Sequence, residues 1–404
     1  MLRENSLYFS IGVALALVGV PSGMYMNFLF SSIEWSPVFM LFSILFIVSY
    51  RNIFRFVFPS FDRLYGIIIF FQLVMIIYGL YKDNFLSEYI RYHLYIIVLC
   101  ISFSTQNTLS SYTTVYGTTF LISGLGSILG AWLSYIGLVS GIESFEMKTE
   151  NENYAIEAFT VAGGALTNYI SCLFLLKIKP KYRILFFIFI VLDIYILFVS
   201  GKRTPIFIGI LVTMIYIFKE NSVDRSSFYR SLKTFLTILI CVVFVYGFND
   251  SIHSSIDKFI SNFYFGVLNM IGNEEVSDLY GSAIYRYQNR EWAIDFINEN
   301  FNFLNFIFGN GYMTRWIDNP LLQSFLDMGL IGISLYFFIV IAYPLFFLIK
   351  GDGLIILFAV SLCIYNVLSA LSSGHPYMYI KFVPVVVLIF FVRNQINRRI
   401  LLYY

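Results

Sequence analysis

The sequence predicts an all-α, polytopic integral membrane protein of about twelve transmembrane helices, with one large external loop between the ninth and the tenth. Three observations carry this expectation. Of the 404 residues, 59% are hydrophobic and only 12% are charged, about half the charge of a soluble domain. Apolar runs of roughly 15 to 25 residues recur along most of the chain, each long enough to cross or nearly cross about 30 Å of hydrocarbon. Ten-residue segments of alternating polarity are absent, which argues against an outer-membrane β-barrel.

The apolar runs place spans at roughly 7–30, 37–50, 64–81, 86–104, 112–138, 156–176, 184–200, 205–218, 233–248, 321–349, 354–371 and 378–392. The first reads as a retained span. The four cysteines, Cys100, Cys172, Cys241 and Cys363, lie inside apolar runs without a C-x-x-C pair and read as small hydrophobic residues. Orientation follows the Lys and Arg of the connections. With the N-terminus inside, the inner segments carry Arg3; Arg51, Arg55 and Arg63; Lys177, Lys179, Lys181 and Arg183; Lys219, Arg225, Arg230 and Lys233; Lys350; and Arg393, Arg398 and Arg399. These are the majority of the chain's 26 cations, so both termini are expected in the cytoplasm. The acidic residues Glu143, Glu146, Glu150 and Glu152 gather in one outer loop. Three segments follow: helices one to nine in 1–248, an external loop in 249–320, and helices ten to twelve with a short tail in 321–404. The loop holds a helix-like piece from Asn289 to Asn300 and a Gly-rich turn, FGNGY, at 308–312.

Cations outside oppose the topological bias, so each needs a reason. Lys82, Lys148 and Lys258 have polar or acidic neighbours and read as solvated. Arg91 lies just inside the outer end of the fourth span, in EYIRYHLYIIVL, and Arg286, Arg290 and Arg315 share the large loop. Lys202 and Arg203 occupy the tip of the hairpin LFVSGKRTPIFIGI, from Leu197 to Ile210. At about 17 and 14 residues its arms span roughly 25 and 21 Å, short of the hydrocarbon thickness, which would sink the tip below the surface. Thr204 as N-cap and Pro205 at the first helical position would open the eighth span there, aiming free N–H groups outward beside two cations. That is an anion site suited to phosphate; the alternative is a hairpin whose cations snorkel to lipid head groups. Asp193, midway along the seventh span, is either functional or a satisfied interhelical contact.

The stretch from Asn289 to Tyr336 carries more. NREWAIDFINENFNFLNFIFGNGY has an Arg two residues before a Trp, an amphipathic piece and a G-x-G turn, and DNPLLQSFLDMGLIGISLYFF follows as entry to a span. This region resembles the signature of the O-antigen polymerase and O-antigen ligase superfamily, and SGKRTP resembles that superfamily's Ser-x-Ser-Arg turn. The resemblance covers about fifty residues closely; elsewhere only span number, topology and loop position agree. It implies an enzyme of a bacterial inner membrane that joins glycans at the periplasmic face, with undecaprenyl-diphosphate-linked oligosaccharide as donor and acceptor. A chain-length regulator is a further candidate partner besides membrane lipids, and no nucleic acid is expected. By position, Arg203 and Arg290 would hold the donor diphosphate, Arg91 resembles a further basic residue, and Lys202, Arg286 and Arg315 are supporting cations. Where the ligases carry His-Asn, this chain has Asp318-Asn319, which favours a polymerase.

The residue types fit that chemistry. The donor is already activated, so neither a metal nor another cofactor is expected. Guanidinium pairs stabilise charge on a departing diphosphate, and a base must take the proton of the acceptor hydroxyl. Asp318 and His375, the latter in SSGHPYMYIK, are the candidate bases; a turn or helix cap for Asp318 and a structural role for His375 are the alternatives. Loop tyrosines could stack on sugars. A ligase attaching glycan to lipid A-core is the runner-up, and a lipid-linked oligosaccharide flippase is the reading from another class; transporters usually show repeated halves with charges near the midplane, whereas here the functional-looking charges concentrate at the outer face and the large external loop breaks any symmetry. P-loop, zinc and Ser-His-Asp signatures are absent.

Overall fold

A computed structural model describes residues 2–30, 34–81, 87–106, 112–139, 147–148, 155–156, 158–200, 203–221, 236, 282–351, 353–370 and 374–402. Among the described residues the regular structure is helical apart from one antiparallel pair of two-residue strands, β1 (Met147–Lys148) and β2 (Ala155–Ile156). Five helices are long and apolar enough to cross a membrane, at Leu7–Asn27, Arg63–Leu80, Thr113–Leu133, Val161–Ile178 and Pro320–Lys350. Shorter apolar helices cover Trp35–Ile47, Ile90–Ser104, Thr204–Lys219 and Leu354–Ser369. The chain is an α-helical, membrane-embedded protein. The expected ninth span, at 233–248, lies outside the described residues apart from Leu236, and Cys241 lies outside them altogether.

The chain forms two compact units, each assembled from separated segments: 1–46 with 110–264, and 47–109 with 265–404. The first contains α1 (Leu2–Leu29), α2 (Trp35–Ile47), α6 (Tyr112–Val139), α7 (Ala158–Ile178), α8 (Arg183–Val199) and α9 (Arg203–Asn221). Here α6 packs on α1, α7 and α8, and α7 on α8 and α9. Small residues let these helices approach closely, as membrane helices commonly do: a Cβ at Gly124 would lie 3.1 Å from the Phe189 ring. Asp193 of α8 is fully buried, accepting from the Ser127 hydroxyl at 2.6 Å and the Asn168 amide at 2.9 Å, while Asn168 accepts from Ser123 at 2.9 Å. It is the satisfied interhelical contact, tying three helices together.

The hairpin between α8 and α9 departs from expectation in two ways. Helix α9 begins at Arg203, so Thr204 and Pro205 lie within its first turn and Thr204 is not the cap. Pro is tolerated there because the first N–H groups of a helix have no ladder partner. Helix α9 is also 19 residues long, about 28 Å, because its helix runs on past the apolar stretch through Lys219 to Asn221. Its apolar part, Thr204–Lys219, stays among the shorter apolar helices, as expected. Arm α8, at 17 residues, is as short as expected.

The second unit contains α3 (Tyr50–Phe54), α4 (Arg63–Tyr81), α5 (Ser87–Ser104), α10 (Ser282–Asn300), α11 (Phe303–Phe308), α12 (Pro320–Tyr336), α13 (Tyr343–Lys350), α14 (Leu354–Ser369) and α15 (Tyr379–Leu402). A π-helical stretch, Phe337–Ala342, joins α12 to α13. Helices α14 and α15 are mostly apolar over 355–367 and 382–392 and buried nearly all round there, as such stretches must be. Around them pack α5, α13 and the π-helical stretch, with Phe71, Tyr336, Phe382, Phe103 and Phe390 in ring contact.

Hydrogen bonds define the two ends of this unit. At one end Ser60 N–H donates to Ser104 O at 3.1 Å, Ser49 N–H to the Thr105 hydroxyl at 2.8 Å, and Arg393 pairs with Asp62 at 3.5 Å. At the other, the Tyr78 hydroxyl donates to Phe308 O at 3.2 Å, Leu321 N–H to Ala370 O at 3.2 Å, and Gly374 N–H to Asp318. The FGNGY turn and the connection preceding α15 therefore share an end.

Helix α12 is kinked at Gly329, whose φ of 65° and ψ of −154° suit only glycine. At the kink the carbonyls of Leu326 and Asp327 accept from Asn310 N–H (2.8 Å) and Gly311 N–H (2.9 Å) of the FGNGY turn. The backbones meet without side chains between them: a Cβ at Gly329 would lie 2.4 Å from the Ile307 carbonyl carbon, and one at Gly309 2.2 Å from that of Asp327. Gly329→Ala combines a forbidden backbone with this clash. It should lower stability by about 3 kcal/mol, seen as a large fall in the thermal unfolding midpoint of detergent-purified protein; an unchanged midpoint would contradict the stitched kink.

Candidate functional site

The residues around the kink build a buried, hydrogen-bonded polar region of the second unit. Asp327, one turn into the apolar part of α12, is fully buried. Its carboxylate accepts from Met313 N–H at 3.1 Å, Thr314 N–H at 3.0 Å, the Gln323 amide at 2.8 Å and the Tyr377 hydroxyl. Gln323 in turn accepts from Ile317 N–H at 3.0 Å. One carboxylate thus organises three chain segments: the loop after FGNGY, its own helix, and the connection leading to α15. The Tyr377 ring stacks on Tyr312 with centroids 4.5 Å apart, and His93 of α5 meets both rings edge-on at 6.2 Å. His93 bonds through Nδ1 to Gln72 of α4.

Beside this network lie the two candidate bases. Asp318 has a φ of 58° and is half-buried, and its carboxylate accepts from Gly374 N–H. The cap of α12 is its neighbour: Asn319 accepts from Leu322 N–H at 3.2 Å, with Pro320 in the first turn. The Asp-Asn-Pro triplet thus divides into a turn residue with a partly accessible carboxylate, a cap and a helix starter. Below, Lys381 of α15 is fully buried, donates to the Ser369 hydroxyl and feels the charge of Asp318. His375 is buried, and its Nδ1 accepts from Tyr377 N–H at 3.2 Å while Trp316 meets its ring at 4.7 Å. Burial, with Lys381 and His93 adding to it, lowers its pKa to about 3. The imidazole is neutral and weakly basic, as a structural histidine is.

Basic residues flank the same region. Arg315 is exposed; its guanidinium donates to Asn289 at 3.1 Å and lies 4.4 Å over the Trp292 ring. That contact brings it to the residue preceding Arg290, which is half-buried on α10. Behind them Trp292 and Phe296 pack on a small core of Ala293, Ile317 and Leu326, so α10 and the loop to α12 form one piece. Arg286 lies on α10 four residues before Arg290, and Arg91 is exposed on α5. Arg203 begins α9 in the first unit, and Lys202 lies outside the described residues. Among the described residues no three His, Cys, Asp or Glu side chains gather as a metal site, and Cys100, Cys172 and Cys363 are buried free thiols.

Asp327, Gln323, Tyr377 and Lys381 escaped the reading of the sequence. Asp327 had a signal: it is the one charge between Arg315-flanked Asp318 and Lys350, four residues after Gln323 and so on one helix face with it. Tyr377 had none, since its partner is 50 residues away.

No protein-family model matches the chain, and no curated protein does.

Asp327→Ala would strand two backbone N–H groups, an amide and a hydroxyl. It should lower stability on the order of 3–5 kcal/mol, read as a fall in the unfolding midpoint in detergent. His375 gives a pH test. Its proton is bound less well in the folded protein, at about 3, than at the ordinary 6.5, so below pH 6.5 the unfolded chain takes up more protons. The contribution is intact above 6.5 and is lost as pH falls from there toward 3. The wild type should therefore lose thermal stability on acidification more steeply than His375→Gln; parallel slopes would refute the assignment.

Proposed function

We propose that the protein is a membrane-embedded glycosyltransferase: a surface-polysaccharide polymerase that moves a glycan chain from one undecaprenyl diphosphate onto the next lipid-linked repeat unit, at the periplasmic face of a bacterial inner membrane. The observation that carries the reading is the continuity of the region bearing the resemblance. Asn289, Arg290 and Trp292, the FGNGY turn, Asp318-Asn319 and the Gln323–Asp327 pair belong to one hydrogen-bonded piece at one end of the second unit. A signature whose residues were scattered would argue for chance likeness. Sidedness rests on the Lys and Arg of the connections.

In this reading the guanidinium groups of Arg290 and Arg315 hold the donor diphosphate. An acceptor hydroxyl attacks the anomeric carbon, the bond from that carbon to the diphosphate oxygen breaks, and undecaprenyl diphosphate leaves with the electron pair, its charge stabilised by the guanidinium groups. The hydroxyl proton passes to a carboxylate. Asp318 suits that task better than His375, because it is partly accessible while His375 is buried with its Nδ1 occupied. Asp327 holds the loop that presents Arg315 and Asp318, since its carboxylate bonds Thr314 and, through Gln323, Ile317. Preorganisation of this kind is where an enzyme acting on an activated donor gains most of its rate.

The test is a deletion strain analysed by surface-glycan gel and complemented with variants. Loss of a polymerase leaves single repeat units on the lipid A-core or its counterpart; loss of a ligase leaves none there, and loss of a flippase holds the units inside. Arg290→Ala, Arg315→Ala and Asp318→Asn should each fail to restore long chains while accumulating normally in the membrane. A normal ladder in the deletion strain would reject the reading.

A further inference from the structure

Between α10 and the FGNGY turn lies a segment that the proposed chemistry does not use. From Phe301 to Thr314 the chain has no charged residue, and it is bracketed by Glu299 and Arg315. Its helix α11 exposes Phe303 (76%) and Leu304 (62%), with Phe306 and Phe308 each about half exposed. Four adjacent large apolar side chains turned outward from a six-residue helix would be an aggregation hazard in water.

The depth of α11 follows from its attachment. Its C-terminal end is stitched to the Gly329 kink by the Asn310 and Gly311 bonds, and to the end of α4 by the Tyr78 hydroxyl on Phe308 O. The whole helical element Pro320–Lys350 has 31 residues, about 46 Å and far more than a bilayer core requires. The kink divides it. Leu330–Lys350 alone measures roughly 31 Å at 1.5 Å per residue, matching a hydrocarbon thickness of about 30 Å, with the Lys350 ammonium at its far end. Gly329, and α11 with it, then stands at the opposite boundary of the hydrocarbon. Leu330, Ile331, Phe337 and Phe338 of the spanning helix and Ile77 and Leu80 of α4, the two helices to which α11 is bonded, are exposed as well. These belong to helices that cross the membrane, so the same lipid meets all of them.

We propose that α11 is a monotopic membrane anchor, lying in the boundary between head groups and acyl chains of one leaflet, with Phe303, Leu304, Phe306 and Phe308 in contact with lipid. The occupant of this face is bilayer phospholipid, and the inference stands on the spanning helices, independently of the glycosyltransferase reading. Its consequence for that reading is geometric. An anchored α11 holds the following loop, with Arg315 and Asp318, at head-group level, where the phosphate groups of a membrane-resident lipid lie.

The test uses the full chain with its native cysteines replaced by alanine, reconstituted in nanodiscs of phosphatidylethanolamine and phosphatidylglycerol. Spin labels are placed singly at Phe303→Cys, Leu304→Cys and, as the aqueous reference, Glu299→Cys. Collision with oxygen, which concentrates in lipid, is compared with collision with a water-soluble nickel chelate. Labels at 303 and 304 should favour oxygen and report a depth of about 5–10 Å, the range of interfacial helices, while the label at 299 favours the chelate. Chelate-dominated collisions at 303 and 304 would place α11 in water, and shielding from both reagents would mean that protein covers it. Either result overturns the anchor, and neither bears on glycan polymerisation.

Discussion

A buried carboxylate with no cation among its hydrogen-bond donors governs the second unit. Asp327 is surrounded by uncharged donors only, two backbone N–H groups, an amide and a hydroxyl. Burying such a group without donors would be prohibitive, so the donors must all be in place together. That requirement fixes the loop 313–317, the rotamer of Gln323 and the approach of Tyr377 in a single step. It also explains the adjoining backbone. The loop reaches Asp327 only because Gly309 and Gly329 let two chains touch without a Cβ between them. The kink and the carboxylate therefore form one device, and neither would persist without the other.

The spans were legible because lipid imposes a simple rule on the chain: every crossing segment must be apolar and helical. That rule locates α1, α4, α6 and α7 from hydropathy alone. It does not locate breaks within a span. GLIG at 329–332 reads as ordinary small-residue packing, and nothing local distinguishes Gly329, with a φ of 65°, from Gly332 in the regular helix. Helix ends suffered for a related reason. Apolar character stops at Phe218, but α9 continues through Lys219 to Asn221, since hydrogen bonding, not hydropathy, ends a helix.

Among the candidate site residues, local chemistry was readable and partnership was not. Asp318-Asn319-Pro320 announces a turn and a helix start, and Asn319 is the cap. The bond from Gly374 to Asp318, and the charge of Lys381 beneath, join segments more than 50 residues apart; no spacing rule spans that distance. Asp193 and Asp327 show the same limit. Each is a lone carboxylate in an apolar run, and the sequence treats them alike. The first ties helices of one bundle together, whereas the second shapes a loop that carries charged side chains.

That contrast bears on where function can reside. Asp193 accepts from side chains of two neighbouring helices and so contributes rigidity between them. Asp327 accepts four bonds, half of them from backbone N–H groups of a loop, and the Arg315 and Trp316 side chains of that loop remain outside the network. Arg315 reaches Asn289 and the Trp292 face, and Trp316 meets His375. The loop is thus rigid in its backbone while its charged side chain stays exposed, which is the condition for binding a highly charged head group without first ordering the protein. A flexible loop bearing the same Arg would lose part of each contact to ordering entropy. The rigidity of the loop comes from the kinked helix it is bonded to, through Asp327 and the backbone contacts at Gly329.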